Sequence, residues 1–362
     1  RAAVRTMIAD GGTPKQIMAR LIPELQKAGW WGVVTNAELT GTGEPVLINE
    51  RRIRNMLATN LRISRAAGKW STIQALKSVA PYLAYYAIDD DVTRPDHRIW
   101  GGLDTSKPIV LPVDHPFWLT HYPPNGWGCR CLVQQLSADD LETRGLKVTT
   151  DADLIAMGLM SADGAIAPPD FIFRAANGED YPTPAGIDAG FAYNPGIATL
   201  RAAAFRVSQA LEEVAATDID AANFTLRELV DSAAFELFIR EPEGRFPVAL
   251  LSDEWKERLG SPSQVVSLPS GVYLKQLASH PELTIADYRA LPGIIASAIR
   301  IVKIGDDRMI FYRASDGALM RAVVRYDGRE SAPYIVSFHK VQPRDMASQS
   351  RQGELLFNAE AP

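Results

Sequence analysis

The 362-residue sequence predicts an α+β fold in more than one domain, and three features carry that reading. Apolar residues recur at helical spacing in the first and middle parts, and the last third holds alternating segments joined by hairpin turns. Between them, residues 93–127 are rich in Pro, Gly, His and Trp and follow neither period. Helices followed by a small antiparallel sheet belong to the α+β class, and the length exceeds one ordinary core.

The first helix is predicted to start at Thr13 as N-cap with Pro14 in its first turn. Ile17, Met18, Leu21, Ile22 and Leu25 share one face, and Pro23 predicts a kink. A second helix is expected over 49–67, with Ile53, Met56, Leu57, Leu61 and Ile63 as its apolar positions and its Arg residues on the wet face. Residues 82–88 are aromatic and β-favouring and run into Asp89, Asp90 and Asp91, so they read as a strand with a polar end. Residues 93–127 read as an ordered irregular loop, because their aromatics need burial, and 131–136 as a short strand. GTGEP at 41–45 reads as a turn and not a phosphate cradle.

Residues 150–200, rich in Ala, Pro, Gly and Asp, have the composition of an extended linker. Helical spacing returns over 201–239, with Leu211, Val214, Leu226, Val230 and Phe235. Helices are then expected over 271–278 and 285–299. Strands at 301–304, 309–313, 319–326 and 334–339 follow, joined by Gly305-Asp306-Asp307, Ser315-Asp316-Gly317 and Asp327-Gly328. The expected division is a helical first domain over 1–149, the linker over 150–200, a helical connector over 201–247, a small α+β domain over 248–345 and a tail over 346–362.

The formal charge of −5 conceals an asymmetry. Lys and Arg against Asp and Glu number 18 to 14 over residues 1–150, 6 to 16 over 151–250, and 14 to 13 over 251–362. An acidic middle between nearly balanced ends reads as a solvated connector, not a nucleic-acid footprint. No apolar run approaches the roughly 20 residues that cross a bilayer, so no membrane association is expected. The opening at Arg1 reads as a processed or partial start without a signal peptide.

Cys129 and Cys131 are the only cysteines. In an extended segment their side chains point to one face, where a disulfide two residues apart would be strained. With His97 and His121 they could form a tetrahedral Cys2His2 zinc site that pins the loop. Two alternatives stand beside this: buried thiols acting as small hydrophobes with carbonyl-satisfied histidines, and a cysteine nucleophile with a histidine base. Nothing nearby has the setting that depresses a thiol pKa. Arg94 and Asp96 are expected to pair within the loop.

TRPDH at 93–97, with Arg94 and His97, then Gly101, PPNGWGCRC at 123–131 and GFAYNPG at 190–196 together resemble the phage Mu protein F-like head morphogenesis proteins. The resemblance covers residues 1 to about 200. It implies a minor head protein of a tailed phage, present in low copy inside the virion head near the portal and made in the host cytoplasm. Its implied partners are the portal, scaffold or major capsid protein.

Residues 248–342 resemble the phage-borne nuclease-like domains of the barnase, EndoU, colicin and RelE superfamily. The resemblance rests on VVSLPSGVYLKQLASHPELT at 265–284, YRALPGII at 288–295 and YIVSFHK at 334–340. It implies metal-independent RNA cleavage through attack of a ribose 2′-hydroxyl. His280 and His339, which titrate near neutrality, are then the acid and base candidates. Lys275 and Arg325, with Lys340, would hold phosphate and Ser337 would donate a hydrogen bond. The alternative to head assembly alone is thus an injected ribonuclease acting on host RNA, for which the head domain is the vehicle.

Overall fold

The computed structural model describes residues 13–35, 45–166, 168–174, 180–315 and 317–359. The chain divides into two compact units, Arg1–Thr199 and Leu200–Pro362. Residues 41–44 of the GTGEP turn and Asp316 of the second hairpin turn lie outside the described residues.

In the first unit, helix α1 (Pro14–Lys27) opens with a capping box between Thr13 and Gln16 and runs through Pro23. Strands β1 (Gly32–Val34) and β2 (Val46–Ile48) pair antiparallel. Helix α2 (Glu50–Ala75) is capped by Asn49 and is longer than its predicted 49–67. Trp70 and Ile73 continue the buried face beyond Ala67. Ile17 and Met18 pack against Ile53 and Leu57.

Strand β3 (Tyr82–Tyr86) is the centre of a three-stranded antiparallel sheet. The predicted irregular loop holds three short elements: helix α3 (Pro95–Trp100), strand β4 (Val110–Pro112) and helix α4 (Phe117–Thr120). β4 pairs with one edge of β3, and β5 (Leu132–Leu136) with the other. Four aromatics of the loop are buried as expected, Trp100, Phe117, Trp118 and Tyr122, whereas Trp127 at its end is half exposed.

The stretch read as a linker is structured. Helix α5 (Ala138–Arg144) precedes it, and it contains helix α6 (Asp151–Ala156) and the hairpin β6 (Pro169–Arg174) with β7 (Asp180–Pro184). It ends in a segment that packs into the first unit: Ile187, Phe191 and Asn194 are all buried. Asn194 Oδ1 accepts from the backbone N–H of Gly196 and Ile197, and its amide donates to Trp118 O at 3.0 Å. A low periodicity concealed this, because the segment is held by turns and not by a helix or strand face.

Helices α7 (Pro195–Ala215), α8 (Ile219–Val230) and α9 (Ala233–Arg240) follow. The residues read as a connector are core: Leu211, Leu226, Val230 and Phe235 are buried in one cluster with Val248, Leu268, Phe311 and Phe338. Strands β8 (Arg245–Leu250) and β9 (Val265–Pro269), helix α10 (Asp253–Leu259) between them, and helices α11 (Ser270–Ser279), α12 (Ile285–Arg289) and α13 (Leu291–Ala296) come next. The expected meander is present as β10 (Arg300–Ile304), β11 (Arg308–Ser315), β12 (Ala318–Arg325) and β13 (Tyr334–Val341). It forms the middle of a seven-stranded sheet ordered β14-β10-β11-β12-β13-β9-β8. Instead of a tail, the last residues supply helix α14 (Pro343–Ser350) and edge strand β14 (Glu354–Asn358). Met346 covers a second small cluster on the sheet face bearing Val302, Ile310, Tyr312 and Val323.

Candidate metal centre

Pro95 in the first turn of α3 places His97 on the buried side of that short helix. The imidazole stacks on Trp100 with centroids 4.9 Å apart, and Nε2 lies 3.0 Å from the carbonyl oxygen of Gly186. A carbonyl only accepts, so Nε2 carries the proton and Nδ1 presents a lone pair. That lone pair faces two thiols, Cys131 Sγ at 3.5 Å and Cys129 Sγ at 3.8 Å.

His97, Cys129 and Cys131 are one set of potential metal ligands, with donor atoms all within 4.8 Å of one another. Ideal zinc bonds of about 2.3 Å to sulfur and 2.0–2.1 Å to nitrogen give a tetrahedral N···S edge of about 3.6 Å. The two observed edges bracket that value. The thiols also form an acidic pair: a hydrogen bond from Cys131 pulls Cys129 down to about 4, and the hydrogen bond and charge of Cys129 together with burial drive Cys131 up. A divalent cation would supply the charge that lets both be thiolates.

The expected fourth ligand, His121, is elsewhere. It is fully buried, stacks on Phe117 with centroids 4.3 Å apart, and meets Trp100 edge-on. Its Nδ1 lies 2.9 Å from Thr120 Oγ1. Burial first, and then His97, push its pKa down to about 3, so it is neutral. The reason is local: α4 turns the ring into the aromatic core and away from the cysteines.

The expected Arg94–Asp96 pair is also replaced. Arg94 reaches Asp188 at 2.7 Å and the carbonyl of Trp127 at 3.1 Å, and Asp188 accepts from the Trp127 N–H at 2.7 Å. A Cβ at Gly126 would lie 2.3 Å from Asp188 Oδ2, so a larger residue there would push this carboxylate aside. Asp89 and Asp90 are arginine partners, of Arg98 at 2.9 Å and Arg130 at 2.7 Å. Sequence reasoning passed over Gly186 and Asp188, whose signal was only the Pro-Ala-Gly-Ile-Asp run ahead of GFAYNPG.

In the second unit, His280 and His339 come together with ring centroids 4.6 Å apart and planes within 5°. Ser337 Oγ lies 3.1 Å from His339 Nδ1, and Arg321 Nη1 lies 3.4 Å from Nε2. Burial, then Arg321 and His280, push His339 down to about 4. His280 also meets Glu282 at 3.2 Å. The other candidates are not gathered there. Arg325 is held by Asp307 at 2.7 Å and by Asp327 at 3.5 Å near the opposite end of β13, Lys340 pairs with Asp287, and Lys275 is exposed on α11. Arg321, the strand neighbour of His339, was not anticipated as the nearby cation.

Residues 1–134 match the family model of Phage Mu protein F like protein. The chain is 28% identical to capsid assembly protein F of Escherichia phage Mu, over 98% of its own length and 83% of that protein. It is 34% identical over 150 residues to the Mu-like prophage FluMu F protein of Haemophilus influenzae, which covers 41% of this chain and 34% of that protein. No solved structure matches the chain. No described helix is long and apolar enough to cross a membrane. The family match takes in the whole triad of His97, Cys129 and Cys131, and the likeness to the Mu protein extends through both units.

Proposed function

We propose that this chain is a minor head protein of a tailed phage that acts in head morphogenesis. The observation that carries the reading is the likeness to a capsid assembly protein over 98% of the chain. The residues that carry the resemblance in the sequence also form one connected centre joining α3, the 123–131 loop and the Gly186–Asn194 segment. A zinc ion held by His97, Cys129 and Cys131 would serve there as a structural cofactor. The protein then belongs in the virion head in low copy near the portal, after assembly in the host cytoplasm with portal, scaffold or major capsid protein as partner. Cross-linking of purified heads followed by mass spectrometry tests this: cross-links to one of those proteins support it, and absence of the chain from heads sinks it.

A second reading, an injected ribonuclease acting on host RNA, is favoured by one observation: His280, His339, Ser337 and Arg321 form a single cluster. An acid, a base and a cation are what metal-free 2′-hydroxyl attack needs. The parallel rings leave no room for a phosphate between them, so cleavage requires one imidazole to swing aside. Incubating the full chain with RNA, with and without His339→Ala, tests this reading. Cleavage lost in the variant supports it, and intact RNA with the unaltered chain ends it.

A further inference from the structure

Among the described residues, zinc held by two thiolates and one imidazole would lack a fourth donor, and a cavity beside the triad is where one would enter. His97, Cys129 and Cys131 line a cavity of about 360 Å3 together with Ile88, Val92, Thr93, Arg94, Trp127 and Arg130. His121 points elsewhere, and the three-residue set is the one group of metal-ligand type among the described residues. A closed structural site has four protein ligands, whereas three ligands and an open position are the mark of a centre that exchanges a ligand.

We infer that the metal of this centre keeps an open fourth position, filled by water in the isolated chain and exchangeable for an external thiolate through this cavity. The inference rests on the proposed zinc reading. Three features favour a thiolate. Zinc is borderline-soft and accepts sulfur readily. The metal with Cys129 and Cys131 as thiolates is neutral, so a further thiolate leaves a net charge of only −1, in a wall whose guanidinium groups, Arg94 and Arg130, are already paired with Asp188 and Asp90. Carbon surface is also present at the mouth: Val92 is 78% exposed, Trp127 49% and Ile88 39%, surface that the carbon body of a thiol ligand would touch. In the exchange one metal–oxygen bond to water breaks and one metal–sulfur bond forms, and the thiol proton passes to solvent.

Cobalt(II) in place of zinc makes the centre visible, because ligand changes move its d–d bands and each thiolate adds charge-transfer absorption. The full-length chain is loaded with one equivalent of cobalt and titrated with 2-mercaptoethanol, with imidazole in a parallel arm. The expected result is a saturable shift of the d–d bands and a rise of the thiolate charge-transfer band by about half, two thiolates becoming three, with a weaker response to imidazole. His121→Phe should bind cobalt and respond in the same way. A four-coordinate spectrum indifferent to excess thiol, or loss of the thiol response in His121→Phe, overturns the open position while leaving the metal in place. Failure to retain cobalt or zinc at all overturns the zinc reading and this inference together.

Discussion

His97 Nε2 lies 3.0 Å from the carbonyl oxygen of Gly186, a residue 89 positions later in the chain. This contact fixes which imidazole nitrogen meets the cysteines, and it ties α3 to a segment that composition alone reads as linker. Metal-ligating histidines are commonly oriented in this way through their second nitrogen.

Gly186 has a φ of +75°, and a Cβ there would lie 2.8 Å from both Trp100 and Asp96. Gly186→Ala should therefore displace the carbonyl that orients His97. The expected effect is a loss of zinc affinity in the 10–100-fold range found for such supporting partners. Competition with a chromophoric chelator measures it. Unchanged affinity would show that the carbonyl does not orient the ligand.

Asp188→Ala leaves the Trp127 N–H without its acceptor and the Arg94 guanidinium with only the Trp127 carbonyl. The expected destabilisation is about 1–3 kcal/mol, toward the low end because both charged side chains are about one-third exposed. Asp188→Asn, which keeps an acceptor, should fall between the two. Chemical denaturation followed by Trp fluorescence checks the order.

The neutral, buried His121 makes the first unit acid-sensitive. Its folded pKa of about 3 lies below the ordinary 6.5. In the window between these values the unfolded chain binds the proton and the folded chain does not. The stability it allows is complete above pH 6.5 and is lost as the pH falls toward 3. At about 1.4 kcal/mol per pH unit, lowering the pH from 6.5 to 5 removes about 2 kcal/mol. His121→Phe preserves the stack on Phe117 and should flatten this dependence, read as the thermal midpoint of the metal-free protein against pH. An equally steep curve in the variant would assign the acid sensitivity to another group.

The helices and the meander were legible because each has a strong local signal. Thr13 as N-cap and Pro14 in the first turn mark the start of α1, and the turns at Gly305 and Gly328 mark the hairpins. The central triad was legible in part, since residues two apart in an extended segment face the same way. What the sequence hid is long-range. The Arg94 carboxylate partner is 94 residues away and not two, and His121 resembles a ligand until α4 turns it inward. Strand β8 is a continuous apolar run without alternation, broken by Pro247, and β14 is an exposed edge, so neither carries the period-two pattern.

For the second unit, His280→Ala and His339→Ala should each abolish RNA cleavage under the ribonuclease reading. Arg321→Ala should weaken it strongly, and Arg325→Ala should leave it nearly intact, because Asp307 and Asp327 hold that guanidinium away from the histidines. A loss with Arg325→Ala equal to that with Arg321→Ala would place the phosphate elsewhere on the sheet.

The central claim, a role in head morphogenesis, is tested most directly by deleting the coding sequence from the phage and counting DNA-filled heads by electron microscopy after induction. The account predicts a severe loss of filled heads that is restored when the full chain is supplied in trans. It also predicts that a His280→Ala, His339→Ala double variant restores them equally well. A normal yield of filled, infectious heads without the chain would contradict it.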